Sequence, residues 1–374
     1  MAGIYIHIPF CKQACHYCNF HFSTQLQLKE QLVKSLVKEI TIRKDYVLNE
    51  QIASIYIGGG TPTLLNMDEM NMLFDAIYSH FSIKTDAEIT LEANPDDLSQ
   101  AALINYKKLP INRLSIGVQS FFDEELKWMN RAHKAKDALD AIKRSQDTGL
   151  SNITIDLIYG SPTLTDQKWE HNLQTAINLN LNHISAYALT VEPKTALANF
   201  IHQQKEQPLN EEQTVIQFEL LTNILEQNGF EQYEISNFAK NKNYAVHNTN
   251  YWKHKIYLGI GPSAHSYNGV SRSWNIANNA QYLKDMDANN FTQETEYLTQ
   301  ENKINEFVMT GLRTIWGIDM TKFELEFGSI NTEILTKKLK KLMATNTLFA
   351  LNNHFILSRK CRLLADGIAS DLFI

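Results

Sequence analysis

No apolar run in the chain is long enough to cross a bilayer, so no stretch reads as a transmembrane segment. There is no surplus of positive charge either. Lys and Arg number 35 against 41 Asp and Glu, a formal net charge of -6, which gives no electrostatic case for a nucleic-acid partner. The start runs almost at once into Ile4-Tyr5-Ile6-His7-Ile8, without the basic region and small-residue cleavage site of a secretory signal. Internal repeats and low-complexity tracts are absent. Cysteine is scarce, with four in 374 residues, which suits a reducing compartment rather than a disulfide framework. The expectation is a cytoplasmic protein, free or peripheral at the inner face of the membrane.

Three of those four cysteines lie within eight positions, in Ile8-Pro9-Phe10-Cys11-Lys12-Gln13-Ala14-Cys15-His16-Tyr17-Cys18-Asn19-Phe20. Cys361 stands far away, in an expected surface loop or strand. Thiolates bind soft metals, and iron–sulfur clusters are held by cysteines at such loop spacings. Three ligands on a four-iron cube leave one iron without a protein ligand, open to another molecule. A zinc site completed by His16 or His21 is the other reading. Structural zinc sites usually pair two knuckles, and the chain has no second one. Cys11, Cys15 and Cys18 are therefore the candidate metal ligands.

Short apolar runs alternate with amphipathic stretches through the first half of the chain. Strands are expected at Ile4–Ile8, Ser54–Ile57, Glu88–Leu91, Arg113–Val118, Ile153–Leu157 and Ile184–Leu189. Helical spacing marks Leu26–Tyr46, Asp68–Phe81, Ser99–Lys108, Asp137–Thr148 and Asp166–Leu179. Six strand-then-helix units imply a parallel sheet, either doubly wound or a partial barrel. In both, ligands gather at the carboxyl ends of the strands. Later come a helix at Asn210–Asn228, an aromatic region from Tyr233 to Trp274, helices at Glu301–Ile315, Met320–Phe327 and Thr332–Thr345, and strands at Leu348–Leu351 and Phe355–Leu357. Three domains follow: 1–200, 201–295, and a winged-helix-like module at 296–374 whose Lys337, Lys338, Lys340 and Lys341 form a solvated helix face.

The strand ends carry candidate ligand contacts. Gly58-Gly59-Gly60-Thr61 allows close backbone approach. Glu92, Gln119 and Asp156 end successive strands, and Arg131 offers a fork for a carboxylate. With Tyr5-Ile6-His7-Ile8-Pro9-Phe10-Cys11 and Tyr17 before the third cysteine, these segments resemble the radical S-adenosylmethionine (SAM) superfamily. Within it they resemble the coproporphyrinogen III oxidase-like branch. The resemblance selects a partial (β/α)6 TIM-like barrel with a C-terminal α+β region. It implies a 4Fe-4S cluster whose open iron binds SAM, one-electron cleavage of SAM, and an external electron donor. It further implies SAM contacts at Tyr5, Tyr17, Gly58, Gly59, Gly60, Thr61, Glu92, Gln119, Arg131 and Asp156, with weaker matches at Thr190 and in the Gly259–His265 turn at His265.

The branch holds HemN-type dehydrogenases and HemW-type haem chaperones. Phe20 stands where the dehydrogenases carry a further cysteine, and their long N-terminal arm is missing here. His247-Asn248-Thr249-Asn250-Tyr251-Trp252 is similar to the HNxxYW motif of the chaperones. The resemblance therefore implies bound haem, with His247 a candidate ligand, delivery to apo-haem proteins such as membrane respiratory enzymes, and a possible homodimer. The alternative is oxidative decarboxylation of coproporphyrinogen III side chains.

Overall fold

The computed structural model describes residues 1–374. A twelve-stranded sheet runs through its larger part. Six strands come first: β1 (Ala2–Ile8), β2 (Ile52–Gly59), β3 (Ile83–Ala93), β4 (Arg113–Gln119), β5 (Ile153–Tyr159) and β6 (His183–Ala188). Each pairs in parallel with the next. Parallel neighbours need a crossover, supplied here by helices Lys29–Ile42, Met67–His80, Gln100–Tyr106, Ala135–Asp147 and Asp166–Asn178. Strands β1 and β6 do not meet, so the sheet is the expected partial barrel.

The alternation of residues along these strands explains both faces. Ile4, Ile6 and Ile8 on β1, Ile55 and Ile57 on β2, and Leu114 and Ile116 on β4 are buried in the main hydrophobic cluster. That cluster also takes Leu32, Leu36 and Ile40 of the first helix. Intervening positions face the other way, because successive strand residues point to opposite sides. They are Tyr5, Tyr56, Thr90, Glu92, Arg113, Ser115, Thr154, Asp156, His183 and Ser185, and all line one cavity. Register keeps them level: Tyr5 pairs with Tyr56, Thr90 with Arg113, Glu92 with Ser115 and Asp156 with Ser185.

Two segments differ from expectation. Strand β3 begins at Ile83, earlier than the expected Glu88; its start carries exposed Thr85 and Asp86 and so lacks the apolar pattern that marks a strand in sequence. The aromatic region supplies both borders of the sheet. β7 (Glu231–Gln232) and β8 (Asn237–Ala239) extend it antiparallel beyond β6. On the other side β9 (Tyr257–Ile260) pairs in parallel with β1. β10 (His265–Tyr267), β11 (Ser271–Asn275) and β12 (Gln293–Tyr297) follow antiparallel.

The C-terminal segment builds a second hydrophobic cluster, including Phe307, Phe323, Phe327, Leu335 and Phe355. Its helices Gln300–Leu312 and Met320–Ala344 pack with a three-stranded sheet of β13 (Ile318–Asp319), β14 (Leu348–Leu351) and β15 (His354–Leu357). Gly328, at φ 82°, breaks the longer helix in two. The break falls between the two helices read from the sequence. Cys361 sits in a 3-10 turn, Arg359–Leu364, against this second cluster.

Candidate functional site

The cysteine loop leaves β1 and crosses the carboxyl ends of the barrel strands, where several segments fasten it. The Cys11 amide donates to the Ser23 carbonyl at 3.0 Å, and the Ser23 amide returns a bond to Pro9 at 2.9 Å. Asn130, in the left-handed region at φ 57°, exchanges side-chain bonds with Gln13 (2.6 Å) and the Ala14 carbonyl (2.7 Å). The His16 amide donates to Met129 O, and the Leu197 amide donates to His16 O. Lys12 forms ion pairs with Asp96 and Asp97. Of these latches, Asn130, Asp96 and Asp97 carry no signal in the sequence beyond standing next to Arg131 and Asn94-Pro95.

Cys11, Cys15 and Cys18 line the same cavity, of about 610 Å3. Burial raises Cys11 to about 11, with the other two thiols adding to the rise through their charge. Cys18 is also raised by burial. Metal binding here must therefore displace protons. No three His, Cys, Asp or Glu side chains close on single-ion spacing. Thiolates of a cubane each take a different iron, so a cluster does not require that spacing.

The glycine stretch lies directly under the loop. The Gly60 amide donates to Ile8 O at 2.9 Å and the Thr61 amide to Phe10 O at 2.6 Å. A Cβ on Gly60 would stand 2.4 Å from Phe10 O, and one on Gly59, at φ 106°, would stand 2.5 Å from His7 Nδ1. A Cβ on Gly58 would fall 2.7 Å from both Glu92 Cδ and Tyr56 Cε1. Gly59, Gly60, Thr61, Tyr5, Tyr17, Glu92, Gln119, Arg131, Asp156, Thr190 and His247 line the cavity.

Arg131 reaches across the site. Its Nη1 lies 3.2 Å from Cys15 Sγ, and its Nη2 donates to Asn94 Oδ1 (2.6 Å) and Gly117 O (2.8 Å). Its Nε is buried without a partner. Asn94, which sequence reasoning missed, also donates to Thr61 Oγ1 at 3.2 Å. It lies in the Glu92-Ala93-Asn94-Pro95 segment, the only signal that could have found it. Gln119 sits at φ 66° where β4 ends, a strained position for a residue with a Cβ.

Glu92 is held by two hydrogen bonds inside the cavity. Oε1 accepts from Tyr56 OH at 2.7 Å and Oε2 from the Gly59 amide at 2.9 Å. Burial, with the Asp156 charge adding to it, raises Glu92 to about 7. Burial likewise raises Asp156 to about 6. A carboxyl raised in the folded state stabilises the fold below its unfolded pKa, and that contribution is lost as pH rises through the folded value. Glu92→Gln keeps the shape and can accept from the Gly59 amide through its one oxygen, while its NH2 donates to the Tyr56 hydroxyl. Relative to wild type, the cluster-free variant should therefore gain thermal stability as pH is raised from about 4.5 to about 7. Melting curves across that range check it; a constant difference in Tm would contradict it.

Three expected residues stand apart. Gly58 does not line the cavity, because the Glu92 and Tyr56 side chains cover it. His265 is exposed on β10, stacks on Trp274 at 5.8 Å, and does not line the cavity. His247 lines the cavity, but both ring nitrogens have partners: Ser54 Oγ and Tyr251 OH, each at 2.9 Å. Its helix, Val246–Trp252, is fixed at its start by Glu88, whose carboxylate accepts the Val246 and His247 amides. As placed, His247 offers no free nitrogen to a haem iron. The reason is position: the helix is packed against β1 and β2, so the imidazole meets protein groups first.

Comparison with known proteins follows the same outline. Residues 5–176 match the radical SAM superfamily model, and residues 298–364 match the HemN C-terminal domain. A Bacillus subtilis protein named heme chaperone HemW is 34% identical over 371 residues, covering 98% of both chains. An Escherichia coli protein of the same name is 36% identical over 266 residues, covering 70% of this chain and 69% of its own. Among solved structures, coproporphyrinogen III oxidase (HemN) from Escherichia coli superposes with a TM-score of 0.86 at 23% identity. It covers all of this chain and 90% of that one, a likeness of fold.

Proposed function

Since the chain belongs to the HemW family of the radical SAM superfamily, we propose that it is a haem chaperone, binding haem and passing it to apo-haem proteins. The observation that carries the cofactor part is the convergence of three half-buried thiols, a glycine cradle and a row of polar strand ends on one cavity. Cys11, Cys15 and Cys18 would hold a 4Fe-4S cluster. Gly59, Gly60 and Thr61 would border the methionine end of SAM. Glu92, Gln119 and Asp156 would face its more distant polar groups. When bound, cluster and SAM supply one-electron chemistry; the chain orients them and excludes water. Arg131, already bonded to Asn94 and Gly117, acts by holding the Cys15 sulfur and the strand ends together. Its Nε–H is buried and has no partner.

No helix is long and apolar enough to cross a membrane. The proposed setting is the cytoplasm, with membrane respiratory enzymes among the haem acceptors and an external reductant for the cluster. His247 serves in this reading as a positioning residue, holding the HNxxYW helix to Ser54. Haem ligation by it requires the Tyr251 bond to open.

Haem titration of the purified chain, followed by transfer to an apo-haem protein, tests the proposal. Haem should bind and transfer, while coproporphyrinogen III should not be converted under anaerobic reducing conditions. Efficient conversion would instead support the dehydrogenase reading, against which Phe20 stands. His247→Ala should leave the haem absorption spectrum unchanged while lowering stability by about 1–3 kcal/mol, the cost of unsatisfied buried partners. A shifted Soret band in that variant would restore His247 as ligand.

A further inference from the structure

The inner face of the barrel carries a pattern that the proposed function does not use. Six rings form an unbroken file. Centroids of Tyr5 and Tyr56 are 6.1 Å apart, Tyr56 and His247 5.1 Å, and His247 and Tyr251 4.9 Å. Tyr251 and Tyr257 follow at 4.5 Å, then Tyr257 and Tyr267 at 6.2 Å. The first four rings line the cavity. Tyr267 lies on β10, beside the Arg272 guanidinium. Aromatic rings at such distances are ordinary packing. The placement of their hydroxyls is a separate observation.

Each of the three tyrosines of this file that line the cavity has its phenol hydroxyl against a carboxylate or an imidazole nitrogen. Tyr5 OH lies 2.9 Å from His7 Nδ1. His7 Nε2 lies 2.8 Å from the His21 carbonyl oxygen, which can only accept. Nε2 therefore carries the hydrogen and Nδ1 receives the phenol's. Tyr56 donates to Glu92 Oε1 at 2.7 Å. Tyr251 OH lies 2.9 Å from His247 Nε2; in the tautomer whose Nδ1–H donates to Ser54 Oγ, Nε2 receives the phenol's hydrogen. Burial lowers His7 to about 4 and His247 to about 3, so both rings are neutral and keep a lone pair. A buried phenol loses an electron only at high cost unless its proton leaves in the same step, and a hydrogen-bonded base provides for that.

We propose that Tyr5, Tyr56 and Tyr251 form a proton-coupled redox relay that is oxidised by a radical arising in the cavity and passes the resulting phenoxyl state along the ring file. The relay rests on the cofactor reading only for its natural oxidant, a primary carbon radical of the kind SAM cleavage supplies. That radical takes a hydrogen atom from the first phenol: the O–H bond breaks, a C–H bond forms, and a phenoxyl radical remains. A neighbouring tyrosine gives one electron to that phenoxyl, and its own proton moves onto its base. The first ring is then a phenolate until a proton from the open cavity restores it. A small-molecule thiol returns the last phenoxyl to tyrosine by giving up its hydrogen atom, the base releases the proton it took to the open cavity, and the thiyl radicals so formed pair to a disulfide outside the protein. The device would remove stray radicals from a cavity whose cargo is not consumed.

The test uses the full chain without cluster or SAM. Flash oxidation with ruthenium tris-bipyridine and persulfate, followed by rapid freezing, is read by electron paramagnetic resonance. A long-lived phenoxyl component is expected. It should be lost in the triple variant Tyr5→Phe, Tyr56→Phe, Tyr251→Phe, while the short-lived signal of exposed tyrosines such as Tyr297 persists. A long-lived component of wild-type size in that variant overturns the relay. Should the triple variant fail to fold by circular dichroism, Tyr56→Phe alone is read: a shortened lifetime supports the relay and an unchanged one overturns it. Haem titration tests the chaperone reading separately, so the two failures are distinguishable.

Discussion

Replacing any one of Cys11, Cys15 and Cys18 with serine is expected to abolish stable cluster incorporation. After anaerobic reconstitution, iron and sulfide content and the visible absorbance should fall to background in each variant. The reason is the ligand count. A cube held at three corners has no spare protein ligand, so the loss of one thiolate leaves two, and the loop offers no fourth cysteine. Phe20, where a cysteine would be nearest, is largely exposed at 67% and cannot substitute. Cys361→Ser is the matched control. That residue packs against the C-terminal cluster and not the cavity, so its loss should leave iron content unchanged. Stoichiometric zinc in the wild-type loop, purified and reconstituted without oxygen, would sink the cluster assignment.

The second large effect is expected from the smallest substitution. Gly60→Ala should lose the cluster although it removes no ligand. The added methyl would stand 2.4 Å from Phe10 O and 2.9 Å from Ile8 O, and both contacts are backbone. Neither can swing aside, and Phe10 immediately precedes Cys11. The strand end and the loop must separate, breaking the Gly60 and Thr61 amide bonds to Ile8 and Phe10. Overpacking of this kind costs about 1–3 kcal/mol. A fall in Tm together with loss of iron is expected. Gly229→Ala is the contrast, since a Cβ there meets nothing within 4 Å; its φ of 81° leaves a modest stability cost but no reason to lose iron. Full cluster content in Gly60→Ala would show that the loop is not held by this contact.

Much of this was legible beforehand, and the reason is the period of the strands. Ile4–Ile8 was readable as a strand because its isoleucines pack under the helices, while Tyr5 between them faces the cavity. Cysteine spacing and the glycine run are local, so sequence order displays them. The latches were not legible, because each joins segments far apart: Lys12 to Asp97, Gln13 to Asn130, His16 to Leu197. His247 shows the same limit. Its motif is visible in the sequence, but its chemistry is decided by Ser54, on a strand nearly two hundred positions earlier. β7 to β12 are two to five residues long, too short for a periodic signal to emerge.

The strand that bears the cysteine loop has β2 on one side and β9 on the other. During synthesis its first neighbour becomes available early, but the second exists only once the chain has been made past Ile260. Until then the sheet has a raw edge beside the cysteine loop, and pairings of such long sequence separation form slowly. The border of the cavity next to Cys11 is thereby among the last parts of the larger sheet to close.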